Sequence, residues 1–337
     1  SAWITSGKLT VRICTPSSSA VVNTGSIDPY GAAATGSHAA LLDHDDILRP
    51  HALAEVAIAL AEHPKAQMIY SDEDKIDAEG RRYDPYFKPD WNSHLFLGQN
   101  YPNHLTVHRA ANIRKSGGWR KDYNGSQDYD LNLRIAAKLN DAQVVHIPKI
   151  LYHWRATADS AALDARQKNY AVVNAARALE DHLRRSKIAG VVEAVPQTTW
   201  YRIKYALPKR PPLVSLVIPT RNGFKILKTC IDSITAKTDY PNYEILIVDN
   251  NSDEPETLAY LKELERSKTA RVLHYPNPFN YSAINNFAVA KARGKVVALV
   301  NNDIEVITSG WLTEMVSLAL QPDVGCVGAK LYYPTDT

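Results

Sequence analysis

Residues 213–252 read LVSLVIPTRN GFKILKTCID SITAKTDYPN YEILIVDNNS, and this stretch decides the fold. Leu213–Pro219 is a short apolar run with β-branched residues, suited to a buried strand. Thr220–Gly223 is a polar turn, and Phe224–Ala236 spaces its apolar residues as a helix does. Tyr243–Val248 is a second apolar run, ending in Asp249-Asn250-Asn251-Ser252. Strand, helix and strand in that order predict an α/β domain with a mainly parallel sheet and flanking helices. Polar residues at the carboxyl ends of such strands are where ligands bind, which singles out Thr220, Asn222 and Asp249, with Asn250 either a further ligand contact or, as Asn-rich turn chemistry favours, a turn residue.

Outward from this stretch the sequence repeats itself. GSHAALLDHDD at Gly36–Asp46 matches GKVVALVNNDI at Gly294–Ile304, placing Asp45 on Asp303 at an offset of 258 residues. The same offset pairs Ala40 with Ala298, Leu60 with Leu318 and Pro64 with Pro322 without a gap. So long an offset suits duplication of a whole domain, not a solenoid. Each copy reads as strand, acidic strand end, helix and strand: helices near His51–Glu62 and Trp311–Leu320, next strands at Gln67–Ser71 and Val324–Ala329.

Asp164–Ser186 has helical spacing, Gly190–Leu207 is strand-like, and Pro208-Lys209-Arg210-Pro211-Pro212 is a stiff linker. The expected division is therefore 1–188 for one partial unit, 189–210 for connecting strands and linker, and 211–337 for a second partial unit. Three widely spaced cysteines offer neither a disulfide framework nor a zinc site and favour a reducing, cytoplasmic setting. The longest apolar stretch, Ala52–Ala61, is interrupted by Glu55 and far too short to span a bilayer. With 39 basic against 36 acidic residues, the balance implies no nucleic-acid partner.

At Pro219-Thr220-Arg221-Asn222, at Val248–Ser252 and at the two acidic strand ends, the chain resembles glycosyltransferase family 2. Within it, Tyr70–Lys75, Asp84–Trp91, Gly125–Asp130 and Tyr152–Arg155 resemble the tandem-domain transferases of rhamnose-rich or O-antigen-type surface polysaccharides. The resemblance implies two partial units of GT-A fold: the acceptor half of one followed by the nucleotide half of another, excerpted from something longer. It implies inverting transfer from a nucleotide-sugar donor, dTDP-rhamnose or a UDP-sugar, to a saccharide or lipid-linked saccharide acceptor. Mn²⁺ or Mg²⁺ is the implied cofactor, and peripheral contact with the inner membrane surface is compatible with such acceptors.

The resemblance also assigns roles. In Asp43-His44-Asp45-Asp46, Asp45 is the metal ligand and Asp43 a ribose or metal-shell group, since a hard cation bridging a diphosphate takes carboxylate oxygens. In the second copy Asp303 keeps the metal position while Asn301 replaces the first carboxylate, as a donor-binding group or a turn cap. Asp128 is the general base that takes the acceptor's hydroxyl proton; a helix-capping role is compatible with it. His153 is either a further metal ligand or a hydrogen-bonded structural residue. Trp154 and Arg155 either contact the acceptor or diphosphate or pack a loop. Asn280-Tyr281-Ser282, with Asn285 and Asn286, resembles the family's donor-contacting loop, with plain Asn-rich turn chemistry as the other reading, and Thr15–Asp28, the candidate counterpart in the first unit, departs from this Asn-containing version. The aromatics of Tyr83–Tyr101 are open between a sugar platform and plain packing.

Other enzyme classes fare worse. Thr220-Arg221-Asn222-Gly223 has one glycine where a dinucleotide-binding turn needs GxGxxG, and no Walker A sequence is present. A nucleotidyltransferase would place a glycine-rich basic loop after the first strand. A noncatalytic carbohydrate- or nucleotide-binding fragment remains the alternative from another class.

Overall fold

The computed structural model describes residues 3–6, 9–14, 36–43, 45–156 and 169–333. These divide into two compact units, Ser1–Lys204 and Tyr205–Thr337, just before the Pro208–Pro212 segment. The first unit opens with β1 (Trp3–Ser6), β2 (Leu9–Cys14), β3 (His38–Leu41), β4 (Ile47–Leu48) and α1 (Ala52–Glu62). Next come β5 (Met68–Ile76), β6 (Arg82–Tyr86), α2 (Ser93–Gly98), β7 (Thr106–Arg109) and α3 (Ala110–Lys115). It continues through α4 (Gln127–Ala136), β8 (Val144–Arg155), α5 (Asn169–Ser186), β9 (Gly190–Ala194) and β10 (Tyr201–Tyr205).

The strand order is β1-β2-β3-β7-β5-β8-β4, with β6 on β5 and a separate β9–β10 pair. This sheet is mixed. β2 with β3 and β5 with β8 are parallel, whereas β7 is antiparallel to both β3 and β5. Residues 77–105 return the chain as a long hairpin excursion, and a strand reached without a crossover lies antiparallel. Alternation along β3 splits the core: Ala40 packs with Ala52, Val56 and Ala59 of α1, Ala39 with Ile113, Leu131 and Ile135 of α3 and α4. Of the Tyr83–Tyr101 aromatics, Phe96 and Tyr101 are buried, and Trp91 lies 5.0 Å from Phe96, so these three pack together.

The second unit is the simpler. It comprises β11 (Val214–Thr220), α6 (Phe224–Lys237), β12 (Tyr243–Asp249), α7 (Pro255–Arg266), β13 (Arg271–His274), α8 (Tyr281–Val289), β14 (Val296–Leu299) and α9 (Trp311–Ala319). Its sheet, ordered β13-β12-β11-β14, is parallel throughout. Val214, Leu216 and Ile218 enter one core with α6, α7 and α9, while Val217, Leu246 and Val248 enter another with Ile284 and Ala288 of α8. Burial on both faces is why these strands read as unbroken apolar runs.

The 258-residue offset carries β3 onto β14 end for end, and α1 onto 310–320, where α9 spans Trp311–Ala319. Val324–Ala329, expected as the next strand, has no regular structure. Gly325 and Gly328 interrupt it, and no described strand offers it a ladder. Gly294, which the repeat pairs with Gly36, has a close-packing reason. A Cβ there would stand 2.6 Å from the Ser215 nitrogen and 2.8 Å from the Leu213 oxygen. Backbone cannot yield as a side-chain tip can, so Gly294→Ala is expected to destabilise the second unit by about 1–3 kcal/mol, read as a lower denaturant midpoint.

Candidate active site

The site begins in β5, where Asp72, Glu73 and Asp74 stand in a row in a strand that is otherwise core. All three are buried, and each meets a different histidine. Asp72 Oδ1 lies 2.9 Å from His146 Nε2 and accepts the Lys88 backbone N–H at 2.9 Å. Glu73 Oε2 accepts the His104 backbone N–H at 2.5 Å and lies 3.1 Å from its Nδ1. Asp74 Oδ1 bonds His153 Nδ1, its opposite number on β8, and Oδ2 accepts from Arg82 Nε at 2.6 Å. The β5–β8 register slips between Ser71 and Glu73, an irregularity of the kind that re-aims side chains near sites. Buried carboxylates persist only when paired and hydrogen-bonded, and these are.

The acidic strand end docks onto the same β8. The short β4 places Ile47 opposite His153 and Leu48 opposite Tyr152. Asp46 Oδ1 accepts the Arg155 backbone N–H at 2.7 Å, and its Oδ2 accepts the Tyr152 hydroxyl. Burial pushes the Asp46 carboxyl above its usual range, against the pull of those two donors. Arg155 donates from Nε to the Asp45 carbonyl at 2.7 Å and from Nη1 to the Asp77 carbonyl at 3.2 Å. Its guanidinium therefore clamps the Asp45 turn. Trp154 is half-buried, packs on the core that includes Leu151 and Tyr152, and leans on the His104 ring at 5.6 Å.

Asp128 sits in the first turn of α4, in a narrow crevice also lined by Asn103, Thr106, His108, Trp119 and Asn132. Asn100 Nδ2 donates to its Oδ2 at 3.1 Å, and Asn132 donates to Asn100 in turn. Burial raises the Asp128 carboxyl above the ordinary range; the charge of His104 and first-turn N–H groups pull against this, and Asp43 adds to it. Asp43 and Asp128, far apart in sequence, thus share one electrostatic neighbourhood. Asp130, two residues on, is structural: it is fully buried between Arg120 and Arg134. Gly125 allows α5 to close over this helix start. Its φ is +82°, and a Cβ would meet the Tyr170 ring at 2.6 Å.

In the second unit the expected residues gather at the carboxyl edge of the parallel sheet. Thr220 and Asp249 end β11 and β12 as register partners, and both are buried. Asn302 Nδ2 donates to Thr220 Oγ1 at 3.0 Å. Asp249 Oδ1 accepts the Ser252 N–H at 3.1 Å, and Oδ2 lies 3.3 Å from His274 Nδ1. Asn222, in the left-handed region at φ 57°, accepts the N–H groups of Asp253 and Glu254 and so anchors the entry to α7. Asn250 is buried and donates to the carbonyls of Tyr275 and Asn277, a turn-holding arrangement. Asn301 and Asp303 are exposed beyond β14. Asn280 caps α8, accepting from Ala283 N at 3.0 Å.

Among the described residues no three His, Cys, Asp or Glu side chains converge as ligands of a metal ion. His44 and the expected loop Thr15–Asp28 lie outside the described residues. Within the described residues no helix is long and apolar enough to cross a membrane.

The family model for glycosyl transferase family 2 matches residues 215–337. The O-antigen biosynthesis protein RfbC of Myxococcus xanthus is 39% identical over 306 residues, 91% of this chain and 24% of that protein. An uncharacterized protein of Sinorhizobium fredii is 49% identical over 305 residues, 89% of this chain and 33% of that protein. The chain therefore spans a third or less of the length of these relatives. Among solved structures, the Pyrobaculum calidifontis mannosyltransferase in complex with GDP-Man and Mn²⁺ aligns with TM-score 0.35 and 23% identity, over 39% of this chain and 38% of that one. Residues 215–337, nearly the whole second unit, are thus similar to glycosyltransferase family 2.

Proposed function

We propose that this chain carries the acceptor half of one glycosyl-transfer unit in its first part and the nucleotide half of another in its second. The whole protein would move a sugar, with inversion, from a nucleotide-sugar such as dTDP-rhamnose or a UDP-sugar onto a growing surface polysaccharide. One observation carries the reading. The Asp43–Asp46 strand end, the His153 strand and the start of α4 with Asp128 come together around one neighbourhood of the first unit. The similarity to an O-antigen biosynthesis protein supports the acceptor class.

The donor set suits a nucleotide-bound divalent cation. His153 is held through Nδ1 by Asp74, which leaves Nε2 as its free ligand atom. Asp45 and His153 would hold Mn²⁺ or Mg²⁺, which when bound offsets charge on the diphosphate; two protein ligands suffice where phosphate oxygens provide others. Asp43 would meet the donor ribose. Asp128 accepts the proton of the acceptor hydroxyl as its oxygen bonds the anomeric carbon and the bond from that carbon to the diphosphate oxygen breaks. A base whose carboxyl titrates above the ordinary range holds that proton better at neutral pH. In the second unit Thr220, Asp249 and Asn301 would contact base and ribose at the sheet's carboxyl edge, with Asp303 in the metal position.

Calorimetry of the full-length protein with UDP- and dTDP-sugars is the test, with and without Mn²⁺. Nucleotide binding that strengthens with Mn²⁺ is the expected result, and binding indifferent to the cation, or none, would overturn the reading.

A further inference from the structure

Asn100 joins two residues that stand one turn apart on α4. Its Nδ2 donates to Asp128 Oδ2 at 3.1 Å, and its Oδ1 accepts from Asn132 Nδ2 at 3.1 Å. Positions four apart on a helix lie one above the other, so a single amide reaches both. Asn132 is buried, and its side chain also bonds His108, a buried residue of β7 set between Ala39 and Met68. Nδ1 of His108 finds no partner among the described residues, so Nε2 makes that bond. His108 and Asn132 both line the Asp128 crevice. Three side chains from three segments thus connect a core strand to one carboxylate.

The direction of this chain is forced from the carboxylate end. A carboxylate only accepts, so Asn100 turns its N–H groups towards Asp128 and its carbonyl towards Asn132. Asn132 then offers its own N–H, which leaves its carbonyl for His108, and the ring donates from Nε2. Burial pulls His108 down to about 4, so the ring is neutral at neutral pH and adds no charge. Every donor points towards Asp128. A single flipped amide would set two like groups face to face. The charges that reach this carboxyl, His104 and Asp43, lie on other segments and outside the chain of bonds.

We propose that His108, Asn132 and Asn100 are positioning residues for the base: their hydrogen bonds, all donated in one direction, hold the plane of the Asp128 carboxyl as it takes the acceptor's proton. This rests on the glycosyl-transfer reading above, and the three residues lie outside every stretch that resembles the family.

The test is the pH profile of kcat/KM for the full-length protein, with thermal melts beside it. Donation to a carboxylate favours its charged form. Asn100→Ala is therefore expected to move the acidic limb up by roughly one pH unit and to lower kcat by roughly tenfold, with donor KM unchanged. Asn132→Leu, close in volume, moves the limb the same way by less. The double variant moves it no further than Asn100→Ala alone, because both act through one amide. His108→Gln keeps a side-chain N–H at that reach and the wild-type limb, whereas His108→Leu shifts it upward. A role confined to packing predicts earlier melting with the limb in place. Where the Leu variants melt below the assay temperature, Asn100→Ala decides alone, since Asn100 is only half-buried. An unmoved limb in folded Asn100→Ala, additive single effects, or a His108→Gln limb displaced as far as that of His108→Leu overturns the proposal. No transfer by the wild type, or full turnover in Asp128→Asn, is a different result and defeats the parent reading instead.

Discussion

Replacing Asp128 by asparagine in the full-length protein is expected to lower turnover by roughly a hundredfold or more while donor affinity stays unchanged. The carboxylate is held by the Asn100 amide and by N–H groups in the first turn of α4, so its position is set before any acceptor arrives. The N-cap of α4 is Ser126, and Asp128 is its second helical residue, where asparagine fits because its carbonyl accepts the same N–H groups. What it lacks is basicity. A purely structural Asp128 therefore predicts near-normal turnover and melting in the variant, whereas a base predicts normal melting with turnover lost. Single-turnover kinetics beside thermal melts separates the two. Because burial raises this carboxyl, kcat/KM in the wild type should fall with acidity at a pH above the ordinary aspartate range of about 4. The sign follows from the role: a base protonated early on acidification stops working early.

Much of this was legible in the residues, and what was not has a physical reason. The second unit's β11, α6 and β12 are local structures, and their apolar periodicities place them within a residue or so. The β3–β14 correspondence was visible because a repeat in sequence needs no knowledge of contacts. Nearest-neighbour relations were another matter. That β7 would lie antiparallel between β3 and β5 depends on how residues 77–105 return, which no periodicity encodes. The site divides the same way. Asp128, Asp45 and His153 stood in motifs with roles attached, whereas Glu73, Asp74 and Lys88 stood in resembling stretches without one, and His104 in none. Asp74, Glu73, Lys88 and His104 act through contacts across dozens of residues. One signal was available and carried no role: three consecutive acids, Asp72–Asp74, directly after the expected strand Gln67–Ser71, which the structure extends through them to Ile76. Acids in a row at a core position require partners, and histidines were the partners at hand.

The same logic gives the second large effect, at the Asp74–His153 pair. Asp74 faces His153 across the β5–β8 ladder and bonds its Nδ1, so the ring's orientation and tautomer depend on this carboxylate. Partners of that kind are worth about 10–100-fold in metal affinity where the histidine is a ligand. Asp74→Asn is accordingly expected to shift the Mn²⁺ concentration for half-maximal turnover upward by roughly that factor, with activity returning at saturating cation. His153→Ala should lose activity that added Mn²⁺ does not restore, because the ligand atom itself is gone. A structural role predicts another pattern. Breaking a buried pair leaves the surviving partner uncompensated, so both variants would melt earlier, and the Mn²⁺ midpoint of whatever remained folded would not move. Arg82, which also binds Asp74 at 2.6 Å, provides the control. Arg82→Gln removes that exposed partner and leaves the carboxylate on the histidine, so its Mn²⁺ midpoint should match the wild type. A folded Asp74→Asn protein with an unshifted midpoint would take His153 out of the metal site and leave it as part of the β8 scaffold.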